Sequence, residues 1–584
     1  MNLKLTKLYQ DKTKVFLALG IFVFAFILRA WGYEYGLPIL YNGDEGQLIQ
    51  RAIRFGSGDL NPHNFIYPSL FMYLLFFCYG GYFLIGSLFG AFSSLGEFRS
   101  AYFIDPSMFY IIGRLLSAAA GALTIVFVYL IGKRAYNRAT GVVAALFLSV
   151  EYLHIRFSHL AKPDAAMACL AVIALYYAYK IYEEGKWSNY LLAGAFTGLA
   201  ISMKYNANFV VLTILSAHVL RTYQSRLGDL KNDFKLLFMS FASVGIFFVI
   251  GSPFTLLDAK TFIRDLQFQS LAITQQQSIL DFLSTILKYC RELFLPSHWS
   301  LSGEFFGFFI LLGLGIFLIR PEKKDLVFLP FLIMHFLFFT YKTSSSFLKP
   351  HYLLPILPVF YLFGAKAFVM VIHKVKISPA RQSAIVYAAS AVLVFSPLKD
   401  VMISNYERTL PDTGNLAREW VETNLPADSK ILFAGAHHLG LKENKESLIA
   451  NHASDTRKAT EEKLKALISY SGKRYWASYL YHGWAFMTDD KTELVDHVPE
   501  GVQLLDKQKL SLDYWKNADY QYVIVFGAQD ERGYPDEAKY PHFRAFFDEL
   551  FSEAKMIEEF IPVASIQSGL PVRIYQLAGG KGGS

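Results

Sequence analysis

Residues 113–150 read GRLLSAAAGALTIVFVYLIGKRAYNRATGVVAALFLSV. Two apolar runs enclose Lys133, Arg134 and Arg138. A helix needs roughly 20 apolar residues to cross the hydrocarbon of a bilayer. A short basic connection between two such runs marks the side on which the chain turns back. The stretch therefore predicts two adjacent membrane-spanning helices.

The same pattern extends in both directions. Of 584 residues, 53% are apolar, 16% aromatic and 18% charged, against about 25% charged in soluble domains. The apolar residues concentrate between Val15 and Pro397. Runs of spanning or near-spanning length are 15–33, 112–131, 139–155, 164–182, 189–203, 205–220, 236–252, 303–319, 326–341, 352–372 and 383–398, eleven expected spans. Lys and Arg load every second connection: Lys4, Lys7, Lys12 and Lys14; Lys133, Arg134 and Arg138; Lys180 and Lys186. The series continues with Arg221, Arg226, Lys231 and Lys235; Arg320, Lys323 and Lys324; and Lys374, Lys376 and Arg381. That loading predicts a cytoplasmic N-terminus, and an odd number of spans places residues 400–584 outside. Residues 69–92, SLFMYLLFFCYGGYFLIGSLFGAF, break the alternation and are expected to form an embedded or re-entrant helix on the outer face.

Composition also excludes some classes. The formal charge of +8 lies in these short clusters, which suits membrane topology and not a nucleic-acid-binding stripe. Cys78, Cys169 and Cys290 have neither disulfide nor metal spacing. The first apolar run continues to Trp31 without a small-residue cleavage site, so no cleavable signal is expected.

Function is expected where ionisable residues meet the outer face. The first outer connection, residues 34–111, contains YNGDEGQLIQRAIRFGSGDLNPHNFIYPSL at 41–70. Asp44 and Glu45 stand just outside the first span. Neighbouring helical residues project about 100° apart, so one carboxylate can face a cavity while the other takes a structural partner. Asp44-x-x-Gln47 also fits a capping box that opens an amphipathic helix. The two roles are compatible, because a helix N-terminus favours an ionised carboxylate.

The second outer connection, EYLHIRFSHLAKPDAAMA at 151–168, gathers His154, Arg156, His159, Lys162 and Asp164 at membrane depth. Such groups line a cavity or pair with one another; the plainer reading is a charged hairpin tip among headgroups. Lys204 in MKYNA, and Lys349 and His351 in SSSFLKPHYLLP, are further candidates. Arg114 heads the second span as a candidate partner for Glu45. Carboxylates with scattered cations suit transfer of a sugar from a lipid phosphate: a carboxylate takes the acceptor's proton, and cations hold the departing phosphate. No Gly-rich nucleotide loop points to a cytoplasmic activated donor. A divalent ion near Asp44, Glu45 or Asp164 is compatible with these residues, but no ligand spacing requires one.

Several stretches, taken in order, resemble the protein O-mannosyltransferase and aminoarabinose transferase group of the C-type (GT-C) glycosyltransferases. They are GDEGQLIQRAI, NFIYPSLFMYLL, the stretch quoted at the start, IRFSHLAKPDAAMACLAV, GLAISMKYNA, SPFTLLDAKTFIRD and KPHYLLPILPVF, across roughly residues 15–372. The resemblance implies a polyprenyl-phosphate-linked sugar as donor, inversion at the anomeric carbon, and a lipid, glycan or protein hydroxyl as acceptor. By position, Asp44 is similar to the catalytic base, Glu45 to its companion acid, and Asp164 to the acidic residue after the third span. Arg114, Lys204, Lys349 and His351 match positions placed near the donor phosphate. Tyr67-Pro68 departs from the Lys-Pro or His-Pro of relatives, which puts that part of the phosphate clamp in doubt; Tyr67, His63 and His159 are then expected to line the substrate cavity. The WWDYG signature of oligosaccharyltransferases is absent, which argues against transfer of a whole oligosaccharide. The implied location is the inner membrane of a bacterium, with the active site periplasmic.

The last 180 or so residues read as a soluble α/β domain at 400–577. LAREWVETNLPADSKILFAG predicts an amphipathic helix, a turn and a buried strand; ADYQYVIVFG and PVRIYQLAG predict strands, and ATEEKLKALISY a helix. His437, His438 and His452 are read as ordinary surface or core histidines, and 578–584 as a flexible tail. The expected architecture is thus a mostly α, polytopic domain at 1–399 followed by the α/β domain. A transporter or flippase for a lipid-linked glycan is the rival reading, but the matched repeats usual in transporters are not evident.

Overall fold

The computed structural model describes residues 2–224, 230–273, 278–294, 301–345, 348–435, 439–453, 466–468, 472–480, 485–487, 502–504, 507–527, 541–563 and 569–577. His437, His438, the tail at 578–584 and most of the helix expected at 459–470 lie outside the described residues, as does the side chain of His452.

The chain packs as two units. The first comprises Met1–Tyr33, Gln47–Tyr79 and Tyr110–Asn405; the second comprises Glu34–Gly46, Gly80–Phe109 and Tyr406–Ser584. The helices run α1 (Asn2–Ala30), α2 (Gly43–Arg54), α3 (Leu70–Leu88), α4 (Leu95–Ile104), α5 (Ser107–Ala135), α6 (Arg138–Ser149), α7 (Tyr152–Ser158), α8 (Pro163–Glu184) and α9 (Trp187–Met203). They continue with α10 (Val211–Gln224), α11 (Leu230–Gly251), α12 (Phe254–Leu257), α13 (Ala259–Ile273), α14 (Ile279–Phe294), α15 (Leu301–Ile319), α16 (Leu329–Lys342), α17 (Leu357–His373) and α18 (Pro379–Glu407).

Among the described residues, six helices are long and apolar enough to cross a membrane by length and composition, or seven if one bent pair is a single span; three shorter apolar helices accompany them. The bent pair is α6 and α7, at 62° to each other, where the sequence predicts one continuous span at 139–155. The break has a local cause. Glu151 turns its carboxylate onto the free N–H groups of Leu153 and His154, so it starts a new helix and does not continue the old one. Residues 69–92 contain the single 19-residue helix α3, which is of spanning length.

Close packing in the first unit relies on small residues. A methyl group on Gly194 or Gly198 of α9 would lie 2.3 Å from the carbonyl oxygen of Ser240 or Val244 on α11. Only glycine lets the two backbones approach this closely, the usual device where no hydrophobic effect drives helices together. Ser240 and Ser243 then donate across the contact to the carbonyls of Tyr190 and Leu191. At the basic end, Arg134 pairs with Glu183 and Glu184, while Lys366 pairs with Glu322 and Asp325 at 2.6 Å.

In the second unit, α19 (Thr413–Asn424) leads into β1 (Lys430–Gly435), and α20 (Lys445–Ala453) precedes β2 (Trp476–Tyr479). Next come β3 (Ala485–Met487), β4 (Val502–Leu504), α21 (Leu512–Asn517), β5 (Tyr522–Phe526), α22 (Pro541–Glu553), β6 (Lys555–Phe560) and β7 (Val572–Gln576). Five strands form one sheet in the order β2-β1-β5-β7-β6; β3 and β4 pair separately. The β2, β1 and β5 strands are parallel, and β7 and β6 add antiparallel to them. Side chains alternate across the sheet. Leu432, Val523 and Val525 face Trp515, Phe546 and Leu550, while Ile431, Phe433 and Ile574 face Ala417 and Val421. The expected strands at ILFAG, YVIVF and VRIYQ are all present. Ile39, from the segment after α1, is packed into the second of these cores.

Candidate active site

The hairpin between α7 and α8 carries a group of buried charges, Lys162 and Asp164 among them. Asp164 lies in the first turn of α8, one residue after Pro163, and is fully buried. Proline suits that position because its missing N–H would have no helical partner there. The Lys204 ammonium, at the end of α9, donates to Asp164 Oδ1 at 2.6 Å. Asp164 Oδ2 has no hydrogen-bond partner among the described residues. Lys204 also lies 5.6 Å from the centre of the Tyr67 ring, a cation–π distance. Forty residues of sequence separate the two charged partners, and α8 and α9 bring them together as an antiparallel pair.

Lys162 and His351 act on the Asp164 carboxylate through space. Lys162 is buried, its carbonyl accepts from Ser117, and its ammonium lies 5.9 Å from the Phe157 ring. The His351 ring lies 5.4 Å from the same Phe157 ring and 4.6 Å from Tyr352. Burial, and after it the charge of Lys204, holds the His351 imidazole well below its ordinary range, so it is neutral at pH 7. Lys349 stands 5.7 Å from the Tyr352 ring, with its backbone bonded to the Tyr289 hydroxyl. Lys204, Lys162 and the neutral His351 thus act on one carboxylate, and Lys349 acts on His351. Cations preorganised in a buried site suit the charge of an arriving anion.

The other expected residues have separate places. Arg114 is buried and donates to the carbonyl of Tyr33 at 2.9 Å, tying α5 to the end of the first span. His159 ends α7; its two ring nitrogens each lie 2.9 Å from a carbonyl, those of Ile155 and Trp31, so it fastens α7 to the chain beyond α1. His63 is exposed and pairs with Asp59 at 2.6 Å; it is not part of the buried group. Asp44 and Glu45 belong to the second unit and lie in the first turn of α2, Asp44 half-buried and Glu45 buried. Asn42 supplies a side-chain acceptor at that end, to the Asp44 N–H at 3.2 Å. Two acidic groups in a first turn are favoured by the helix dipole.

Lys162 was read among the charges at membrane depth but was given no role at the phosphate end. One residue escaped the sequence reading altogether. Arg29 is fully buried and donates to the carbonyls of Ala25, Leu148 and Ser149 and to His154 Nδ1. An arginine inside the first apolar run was the available signal. Among the described residues, no three His, Cys, Asp or Glu side chains come together in a way that could hold a metal ion.

Residues 109–251 match the family model of dolichyl-phosphate-mannose-protein mannosyltransferases. No curated protein sequence matches the chain. Among solved structures, ArnT from Cupriavidus metallidurans bound to undecaprenyl phosphate is 14% identical over 98% of this chain and 99% of its own, with a TM-score of 0.49. The Archaeoglobus fulgidus oligosaccharyltransferase in complex with zinc and sulfate is 12% identical, covering 87% and 67%, at 0.45. The S. cerevisiae protein O-mannosyltransferase Pmt1–Pmt2 complex bound to the sugar donor is 22% identical, covering 43% and 34%, at 0.33. The matched segment, about a quarter of the chain, holds Arg114, Asp164 and Lys204 within the ordered motifs read from the sequence, and over that segment the chain is similar to the dolichyl-phosphate-mannose-protein mannosyltransferases.

Proposed function

We propose that this chain is a membrane glycosyltransferase of the GT-C type that moves a single sugar from a polyprenyl-phosphate donor to a hydroxyl acceptor on the extracytoplasmic face, with inversion. The observation that carries the reading is the buried group of Lys204, Lys162 and His351 around Asp164. As the anomeric C–O bond breaks, the lipid phosphate leaves with an added negative charge. A preorganised cation in a water-poor site stabilises that charge far better than bulk solvent does. Lys204, oriented by Asp164, is the principal cation, with Lys349, His351 and Arg114 contributing to the phosphate end. Tyr67, its ring 5.6 Å from the Lys204 ammonium, is assigned to the substrate site in this reading. Asp164 therefore acts through Lys204 and not on the sugar directly. The acceptor class spans lipid, glycan and protein hydroxyls.

Asp44 is the general base in this reading, and Glu45 its companion. The acceptor oxygen attacks the anomeric carbon from the face opposite the phosphate, its proton passes to the Asp44 carboxylate, and the configuration inverts. General-base contributions run to about 10²–10⁴-fold, so Asp44→Asn should lower turnover on that scale. Folding and donor binding should stay near wild type, since the side chain keeps its shape. The test is transfer of radiolabelled sugar from undecaprenyl-phosphate-linked mannose or aminoarabinose by the purified protein in detergent. Near-wild-type turnover by folded Asp44→Asn would remove Asp44 from the mechanism.

A further inference from the structure

The segment that ends on Asp44 is built into the C-terminal domain. Ile39 is buried in the sheet's second core with Val421, Ile431 and Phe526. The Tyr41 hydroxyl donates to Asp412 Oδ1, and Asp412 also caps α19 through the Asn415 N–H. Asn415 Nδ2 donates to Asp412 Oδ2 at 2.6 Å and to the Leu37 carbonyl at 3.2 Å. The Tyr41 ring lies 6.0 Å from Phe526 and 5.5 Å from Tyr35. A methyl group on Gly414 would stand 2.8 Å from the Tyr41 hydroxyl and 3.0 Å from both Ile39 and Phe526; only glycine leaves room for the segment here. Immediately after Tyr41, Asn42 accepts the Asp44 N–H and α2 begins at Gly43.

We infer that the C-terminal domain sets the place of Asp44 through the Tyr41–Asp412 bond, which makes Tyr41 and Asp412 positioning residues for the reaction. The inference rests on the reading of Asp44 as base. Asp412 is 2% exposed, and a hydrogen bond to a buried carboxylate is shorter and stronger than a neutral one. Burial and then the Asp412 charge push the Tyr41 phenol far above its usual range, so it remains a donor at any working pH. Asn415 binds both Asp412 and the chain before Tyr41, so the segment is held at two points four residues apart. A helix start held in this way leaves the carboxylate little freedom, and displacement of a reacting group by about 1 Å can cost on the order of 10²-fold in rate.

The experiment compares Tyr41→Phe, Asp412→Ala and Asp412→Asn in the full-length protein, alone and combined with Asp44→Asn. Tyr41→Phe removes one oxygen and should lower kcat about 10- to 100-fold, with the KM for undecaprenyl-phosphate mannose or aminoarabinose unchanged. Asp412→Asn keeps an acceptor and a cap, and should recover most of what Asp412→Ala loses. Because Tyr41 acts through Asp44, the Asp44→Asn/Tyr41→Phe double variant should be no slower than Asp44→Asn. Hydrogen exchange across residues 43–47 of the intact protein, read without substrate, should rise in Tyr41→Phe and stay unchanged in Asp44→Asn. Unchanged exchange, or losses that multiply in the double variant, overturns the inference. If Asp44→Asn itself retains full turnover, the base assignment fails, while the exchange result still decides whether the bond places the segment.

Discussion

Removing Lys204 separates the stability of the buried pair from its part in binding. Asp164 is 0% exposed and its contact with Lys204 is a 2.6 Å ion pair. Lys204→Met keeps the length and apolar stem of the side chain but leaves the carboxylate without its closest cation. Breaking a buried pair by removing one partner costs about 3–5 kcal/mol, because the remaining charge stays buried and uncompensated. Lys162 acts on the same carboxylate, so the lower end of that range is expected. Asp164→Asn combined with Lys204→Met removes both charges and should restore much of the lost stability. Donor affinity should follow a different pattern. A charge-assisted hydrogen bond to phosphate contributes roughly 1.5–3 kcal/mol, or about 10- to 150-fold in Kd. Both Lys204→Met and the double variant should lose this affinity, although only the single variant is markedly unstable. Thermal unfolding followed by intrinsic fluorescence in detergent gives the first quantity, and titration with undecaprenyl phosphate the second. A double variant less stable than Lys204→Met, or one that binds undecaprenyl phosphate as wild type does, would show that the ion pair is neither the counter-ion nor the phosphate contact argued above.

The His351 imidazole, pushed below its ordinary range by burial and then by Lys204, gains its proton only as the pH falls well below 6.5. Undecaprenyl phosphate affinity should therefore show no histidine inflection between about pH 6 and 8; one that disappears in His351→Gln would contradict this. A cysteine placed at the exposed Asp513 in a cysteine-free background should react with an impermeant thiol reagent in intact spheroplasts, and protection until lysis would reverse the orientation. Gly198→Leu sets a side chain against the backbone of α11, where the first added carbon already meets Val244 O at 2.3 Å. It should abolish stable folding or lower the unfolding midpoint by many degrees, whereas Gly245→Leu, with open space around it, should change the midpoint little.

Most of the helical fold was legible because spanning helices must be apolar over their whole length, and that signal survives without any tertiary information. The turn at Glu151 was not. Its carboxylate stands between two apolar runs, and whether it caps a new helix or sits at a span's end depends on neighbours that the sequence does not place. The strands ILFAG, YVIVF and VRIYQ were legible as short apolar runs. KMIEEF was not: β6 is an edge strand, and its Lys555, Glu558 and Glu559 are the kind of charge that blunts an exposed edge. At the candidate site, Asp164, Lys204 and His351 were each visible as charges out of place among apolar residues. Their convergence was not, since 40 and 187 residues separate the second and third from the first. The link from Tyr41 to Asp412, 371 residues apart, left no local mark at all.

Arg29 bears on how the protein is made. Its partners Leu148, Ser149 and His154 follow it by 119, 120 and 125 residues, so none has been synthesised when the first span enters the bilayer. Until then the guanidinium has the carbonyl of Ala25 within its own helix and, one residue from the helix end, headgroups that its long stem can reach. Only when α6 has been laid against α1 do its carbonyl end and His154 draw the charge inward. Membrane integration of the first helix and its final seating are thus separate events in biogenesis. The second waits for the hairpin that carries Asp164, so a nascent chain arrested before residue 154 would hold its first helix in the bilayer with the arginine still facing water.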